Sequence, residues 1–250
     1  MTYVAYDGTL AQLCVATSRD LKDWQKHGPI FENWDWTRDL RWREYLAELL
    51  KAKFRLQKEW CKAGAMFPEM INGYYWMLFG DRDIRLAHSE DGLRWLPIRK
   101  PLFSARPRFF DSFFVEMGPP PIKTRRGWLV LYHGVDRKNV YRLGFLILDH
   151  DDPAKIIFRS PGPIFEPEAP YELRGVVDIL PGGWKAMEKM SEQELQEFMR
   201  KNERKGKMPQ VAFVCGAVLI DGKIRIYYGA SDMVVCTATI DAEAMLGAGL

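Results

Sequence analysis

The sequence predicts an all-β protein assembled from repeated units of short strands, the kind that pack radially as the blades of a propeller. Three observations carry this reading. The pattern A-x-S-x-D-x-x-x-W occurs twice, as Ala16-Thr17-Ser18-Arg19-Asp20-Leu21-Lys22-Asp23-Trp24 and as Ala87-His88-Ser89-Glu90-Asp91-Gly92-Leu93-Arg94-Trp95. Each copy follows an aromatic strand ending in a Gly turn (Tyr3 to Gly8, Tyr74 to Gly80) and precedes a Pro-aliphatic-Phe run (Pro29-Ile30-Phe31, Pro101-Leu102-Phe103). Two weaker copies follow: Trp128 to Gly134 leads to the apolar stretch Tyr141 to Leu148 and then Pro163-Ile164-Phe165, and Ile224 to Gly229 leads to Val234 through Ile240.

Along the chain, Tyr3 to Gly8 reads as a strand already inside a sheet. Asp39 to Lys58 has helical periodicity and good helix formers, so a first helical insertion is expected at about 39–58. Ile71-Asn72-Gly73 and Ile220-Asp221-Gly222 are hairpin turns flanked by β-branched and aromatic residues, and Thr124 to Gly127 holds the equivalent place before Trp128. Ser191-Glu192-Gln193-Glu194 is a capping box, which predicts a second helical insertion over 191–202. The whole is expected to be one domain, 1–250, of about four strand units with the first incomplete. A β-sandwich with coincidentally similar turns is the alternative.

The chain is 47% hydrophobic and 28% charged with a formal net charge of +3, enough apolar material for a core and too little charge to imply a polyanion partner. No basic n-region with an apolar stretch opens it and no segment approaches the length of a membrane span, so a cytoplasmic location is expected. Cys14, Cys61, Cys215 and Cys236 lack metal-ligand spacing and read as buried free thiols of a reducing compartment. With no metal cluster, Gly-rich nucleotide loop or nucleophile elbow, no cofactor is expected. Aromatic content is high, at 13% with nine Trp, which suits either sugar platforms or an aromatic β-core.

The run Tyr3 to Leu21 closing on Lys26-His27-Gly28-Pro29 resembles glycoside hydrolase family 130, the β-mannoside phosphorylases and related β-mannosidases. Further landmarks follow in order: Lys62-Ala63-Gly64-Ala65-Met66-Phe67-Pro68-Glu69, Phe110-Asp111-Ser112, Glu116-Met117-Gly118-Pro119-Pro120-Pro121, Leu131-Tyr132-His133-Gly134-Val135, Glu166-Pro167, Tyr171-Glu172, Phe213 to Ala217 and Tyr227-Tyr228-Gly229-Ala230-Ser231-Asp232. The resemblance implies a five-bladed β-propeller with its substrate cleft at the axial end of the blades. It also implies that a first blade and a Glu-Asp-Pro-Arg segment with the proton-donating Asp lie upstream of what matches Met1, so this chain is expected to be short of both.

By that resemblance the activity is inverting transfer of a mannosyl unit from a β-mannoside to inorganic phosphate, giving mannose 1-phosphate. The alternatives are hydrolysis by water and a sugar-binding propeller without turnover. Phosphate is its own nucleophile, so a phosphorylase supplies position and positive charge, whereas a hydrolase needs a carboxylate to activate water. Lys62 and His133 match family positions around the phosphate, and each could instead be structural, Lys62 as a solvated lysine and His133 as a core histidine. Gln12 stands where phosphorylases often carry Arg, and it lacks the charge and fork that hold phosphate. Arg85, Arg108, Arg137 and Arg142 could add charge, and Asp83 with Arg85 could pair toward solvent. Glu69 and Glu116 are candidate bases, Glu116 alternatively anchoring its Gly-Pro-Pro-Pro turn or a sugar hydroxyl. Asp7, Asp111, Glu116, Tyr228 and Asp232 are candidate substrate contacts: carboxylates accept paired sugar hydroxyls and aromatics cover a pyranose face. Asp7 could equally be a turn residue before Gly8. The expected partners are a β-mannoside and phosphate, with a homo-oligomer possible through the helical additions.

Overall fold

The computed structural model describes residues 1–6, 11–31, 61–202 and 206–247. The first helical insertion, Asp39 to Lys58, and Asp7 lie outside the described residues. Among the described residues, four antiparallel sheets follow one another along the chain. The first is β1 (Thr2–Tyr6), β2 (Ala11–Thr17) and β3 (Gln25–Pro29); the second is β4 (Gly64–Met66), β5 (Tyr75–Phe79), β6 (Arg85–Ser89) and β7 (Leu96–Pro97). The third runs β12 (Ile156–Arg159), β11 (Tyr141–Leu148), β10 (Gly127–Val135), β8 (Phe114–Met117), with β9 (Ile122–Thr124) on the same edge of β10 as β8. Pro119 to Pro121 separate β8 from β9, because prolines carry no N–H to continue the ladder. The fourth is β13 (Ala212–Ile220), β14 (Lys223–Ala230) and β15 (Val234–Asp241).

The repeated nine-residue pattern is a turn written in side-chain hydrogen bonds. Ser18 Oγ accepts from the Asp20 and Leu21 amides, and Asp20 Oδ1 accepts from the Lys22 and Asp23 amides. The second copy repeats this, with Ser89 Oγ taking Asp91 and Gly92 and Asp91 Oδ1 taking Leu93 and Arg94. In both, the Trp indole donates back to the main chain of the turn, to Leu21 O at 3.3 Å and to Gly92 O at 3.0 Å. The pattern therefore joins β2 to β3 and β6 to β7 by the same local chemistry.

Core forms between successive sheets. Leu13 and Val15 pack on Met77, Phe79 and Trp95; Leu78 and Leu86 pack on Trp128, Val130 and Tyr132; Leu129, Leu131 and Leu143 pack on Val214, Ile224 and Ile226. All nine residues of β10, His133 included, are buried, since its two faces meet two different sheets. In β14, by contrast, Ile224, Ile226 and Tyr228 are buried while Lys223, Arg225 and Tyr227 are exposed, so one face of the fourth sheet meets solvent.

A helix spans Glu192–Lys201, inside the 191–202 stretch that the capping box predicts as helical. Helix α1 (Pro170–Leu173) precedes α2 (Gly183–Met187) and α3 (Glu192–Lys201), and Met187 of α2 with Leu195 and Met199 of α3 packs on Val176 in a small core. Ser191 Oγ accepts from the Glu194 amide and Glu194 Oε2 accepts from the Ser191 amide, closing the capping box at the start of α3. A last helix, α4 (Ala242–Gly247), packs Met245 and Leu246 into the core between the third and fourth sheets. Among the described residues no helix is long and apolar enough to cross a membrane.

Candidate functional site

Lys62, before β4, Glu116 and Tyr141, in strands β8 and β11 of the third sheet, and Asp232, on the β14–β15 turn, form one electrostatic group. Lys62 precedes β4 and is fixed on both sides: the Cys61 amide donates to Ala11 O of β2, and the Gly80 amide donates to Lys62 O at 3.1 Å. Glu116 sits in β8, whose Val115 and Met117 amides bond the carbonyls of Arg82 and Gly80. The Gly80–Arg82 connection is thereby laid beside Glu116 and delivers Asp81. Lys62 Nζ lies 3.2 Å from Glu116 Oε1 and 3.7 Å from Asp81 Oδ2.

Burial dominates the electrostatics. The Glu116 side chain is 6% exposed, and desolvation lifts its pKa to about 7 against the lowering influence of Lys62. Burial alone would lower the Lys62 pKa, but the Glu116 and Asp81 carboxylates more than offset it and raise it. Tyr141, at the start of β11, rests against Phe114 and Phe213; burial and then the charges of Glu116, Asp232 and Asp81 push its phenol up. All three carboxylates thus act on this one hydroxyl. Asp232, on the β14–β15 turn, is raised by partial burial with Lys207 opposing, and the exposed Cys215, on a bulge of β13, is raised by burial and by Glu116. The cluster is thus a lysine between carboxylates, one of which changes protonation near neutral pH. Such a group can hold an anion, orient hydroxyls and exchange a proton.

Several residues singled out from the sequence are interior instead. His133 is fully buried: its Nε2 accepts from the Val214 amide at 2.8 Å, its ring stacks on Phe213 at 4.0 Å, and burial pushes its pKa down to about 3. A neutral, enclosed imidazole pins the third sheet to the fourth and does not reach an anion, which corrects the phosphate-binding reading. Asp111 is also fully buried, taking Arg106 at 2.9 Å, Arg159 at 2.6 Å and the Tyr132 hydroxyl at 2.9 Å, so its acceptors face protein and not sugar. Tyr228 faces the core, packs on Phe165 and donates to Glu172 Oε1 at 2.6 Å, which removes it from direct sugar contact.

Glu69 is half exposed and paired with Lys123, apart from the Lys62 cluster. Gln12 is partly exposed on β2 opposite Ala5, next to the Ala11 carbonyl that holds Cys61, and so borders Lys62 along the chain path. Arg85 turns inward and donates to Arg99 O, lying 3.9 Å from Asp83, so this pair does not reach toward solvent. Arg142 is engaged by Asp136 and Glu166, and Arg108 and Arg137 are exposed. Cys14 and Cys61 are buried free thiols as expected; Cys215 and Cys236 are free but reach the surface.

Sequence reasoning missed Asp81, Arg82, Tyr141 and Lys207. Asp81-Arg82 directly after the Gly80 turn was the available signal; Tyr141 looks like any strand-opening aromatic. Among the described residues no group of three or more His, Cys, Asp and Glu is set to hold a metal. An open depression of about 690 Å³ against the β2–β3 turn is lined by Thr17, Arg19, Asp20, Trp24 and their neighbours, none of them from the cluster.

Antiparallel sheets with core between successive members make this a mostly-β protein, and comparison with known proteins gives the family. The sequence profile of glycoside hydrolase family 130, described as beta-1,4-mannooligosaccharide phosphorylase, matches residues 1–188 and 182–248, and the chain belongs to that family. It is 33% identical over 233 residues to a 1,2-beta-oligomannan phosphorylase of Thermoanaerobacter sp. (strain X514), covering 93% of this chain and 59% of that protein. Its fold matches a Listeria innocua beta-1,2-mannobiose phosphorylase in complex with beta-1,2-mannobiose, at TM-score 0.71 and 26% identity over 98% of this chain and 55% of that one. It also matches, at TM-score 0.69 and 28% identity over 97% of this chain and 61% of the other, a structure presented with the statement that this family of mannoside phosphorylases contains glycoside hydrolases that target beta-1,2 mannosidic linkages in Candida mannan. The chain spans somewhat over half the length of these relatives.

Proposed function

We propose that the four sheets are blades of the family's five-bladed propeller and that the Lys62 cluster is the phosphate and mannoside site of an inverting β-mannoside phosphorylase. The observation that carries this is the 3.2 Å pair of Lys62 with the buried Glu116, flanked by Asp81, Arg82 and Tyr141. In the reaction a phosphate oxygen attacks the anomeric carbon from the face opposite the departing sugar. The new C–O bond forms as the glycosidic bond breaks, and the leaving oxygen takes a proton whose donor, by the family resemblance, is the Asp of the Glu-Asp-Pro-Arg segment and not a residue of the Lys62 cluster. Lys62 and Arg82 supply positive charge to phosphate, which replaces the catalytic base of a hydrolase. Tyr141 and Asp232 face the sugar hydroxyls, and Glu116 steers Lys62. Free thiols fit a reducing cytoplasm as the place of action.

Hydrolysis is the second reading, favoured by one observation: Glu116, with a pKa near neutrality, is suited to activate water, and Gln12 adds no cation beside Lys62. Incubation with β-1,2-mannobiose, with and without phosphate, separates the two. Mannose 1-phosphate formed only with phosphate is the expected product; free mannose released without phosphate would establish the hydrolase instead. Binding of the disaccharide with no turnover under either condition would leave a sugar-binding protein.

A further inference from the structure

The turn that carries Asp232 is held in an unfavourable backbone conformation. Ser231 and Asp232 are consecutive non-glycine residues with φ of +50° and +55°, a left-handed pair that side chains disfavour and that persists only where surroundings enforce it. The hairpin closes the turn with the Met233 amide donating to Ala230 O at 3.1 Å, and further bonds to Ser231 come from outside the hairpin. Ser231 N donates to Val211 O at 3.1 Å, Ser231 O accepts from the Lys207 and Met208 amides at 2.7 and 3.2 Å, and Ser231 Oγ donates to Glu172 O at 2.9 Å. These outside partners, Glu172, Lys207, Met208 and Val211, flank the helical segment 183–201 on its two sides in sequence and are the stems of the insertion.

Glu172 is the centre of that clamp. Its side chain is buried, with Oε1 taking the Tyr228 hydroxyl at 2.6 Å and Oε2 taking the Glu168 and Ala169 amides at 2.7 and 2.8 Å. Its carbonyl takes Ser231 Oγ and the Val211 amide. The second stem is pressed equally close: at Gly206 an added Cβ would stand 2.2 Å from Ser231 Cβ, so only glycine allows the approach. The stem continues through Gln210, whose carbonyl accepts from the Tyr141 amide, so the clamp also touches the aromatic at the middle of the cluster.

We infer that Glu172, together with Tyr228 and Ser231, is a positioning residue for Asp232: the insertion's stems lock the left-handed turn so that the Asp232 carboxylate is presented to the Tyr141 side of the site. The inference rests on the proposed sugar-binding role of Asp232. It gives Tyr228 and Glu172, neither of which reaches the cleft, a role through another residue. The insertion becomes part of the site's construction in this view, and its stability is coupled to substrate placement.

The experiment follows the Asp232 carboxyl by ¹³C NMR in the labelled chain, assigned by its loss in Asp232→Asn, and measures β-1,2-mannobiose binding calorimetrically. Tyr228→Phe keeps the ring in the core and removes one hydroxyl; Ser231→Ala keeps the Cβ and removes the bond to Glu172. Both are expected to displace the Asp232 titration midpoint and weaken mannobiose binding about tenfold, the scale of one hydrogen bond to a charged group. Tyr227→Phe, on the solvent face of the same strand, is expected to change neither. An Asp232 signal and midpoint identical to the starting protein's in both variants would overturn the inference, and Ser231→Ala alone decides it should Tyr228→Phe fail to fold. If Asp232 moves but the unmodified chain binds no mannobiose, or Asp232→Asn binds it as tightly, the clamp stands and the proposed function falls.

Discussion

Glu116 and His133 face each other across the β8–β10 ladder, and burial acts on them in opposite senses. Desolvation raises Glu116 from 4.5 to about 7 and lowers His133 from 6.5 to about 3. Between pH 4.5 and 7 the folded chain keeps a Glu116 proton that the unfolded chain has lost, so this group makes stability fall as pH rises. Between pH 6.5 and 3 the unfolded chain binds a His133 proton that the folded chain refuses, so this group makes stability fall as pH drops. Each slope is about 1.4 kcal/mol per pH unit, and they cancel where the windows overlap. Urea unfolding across this range should show that Glu116→Gln, relative to the unmodified chain, gains stability toward pH 7, while His133→Gln gains stability toward pH 4. Difference profiles that stay flat for both variants would refute the assigned burial of the pair.

Asp111 takes two arginines and a tyrosine hydroxyl in a site closed to solvent. Removing the carboxylate leaves Arg106 and Arg159 facing each other without their counter-ion. Asp111→Ala should therefore cost about 3–5 kcal/mol of stability, the range for one partner lost from a buried ion pair. Equilibrium denaturation checks this. A variant of unchanged stability that has lost mannoside affinity would restore Asp111 as a substrate contact.

The two copies of the nine-residue turn share a left-handed position that only one of them fills with glycine. Gly92 has φ of +73°, and its counterpart Leu21 has φ of +62° with its side chain in solvent. Leucine is strained there and buries nothing in return. Leu21→Gly should raise stability by up to about 1 kcal/mol, the left-handed penalty less the extra entropy of glycine in the unfolded chain. Gly92→Ala should lower it by about 1 kcal/mol from the same strain, since the nearest atom to an added Cβ, on Tyr75, is at an ordinary 3.7 Å. Thermal melts of the pair test whether the repeat is one turn used twice.

That turn was legible in the sequence because its chemistry is local: Ser, Asp and Trp bond amides and carbonyls within a few residues. The strand at Trp128 to Gly134 was legible as a repeat copy, but its burial on both faces was not, since it depends on which sheets lie against it. Which polar residues line the site was not legible either. His133 and Glu116 share a face of one sheet, yet one is sealed beneath Phe213 and the other meets Lys62, a distinction made by the neighbouring sheet. Asp111 and Tyr228 fail as site residues for the same reason. Each looked like a sugar ligand beside aromatics, and each is satisfied by partners distant in sequence, Arg159 and Glu172. Tyr141 carried no mark at all, because its importance comes from three carboxylates on other connections.

Lys62 is the residue on which the phosphate reading can be decided. Its ammonium is partly open to solvent while Glu116 beside it is not, so the pair can release Lys62 to an incoming anion without exposing the carboxylate. Lys62→Met keeps most of the stem and deletes the charge. Two effects should follow. Glu116 loses the cation that lowers its pKa, so its titration, followed by ¹³C NMR, should move further above 7. In a phosphorylase the KM for phosphate should also rise about ten- to a hundredfold, the worth of one hydrogen bond to a charged group, while affinity for mannobiose changes little. A raised Glu116 pKa with an unchanged phosphate KM would keep the ion pair but move the phosphate elsewhere. A variant that loses mannobiose binding and phosphate response together would instead make Lys62 a sugar contact, and the phosphate-binding role would have to pass to Arg82.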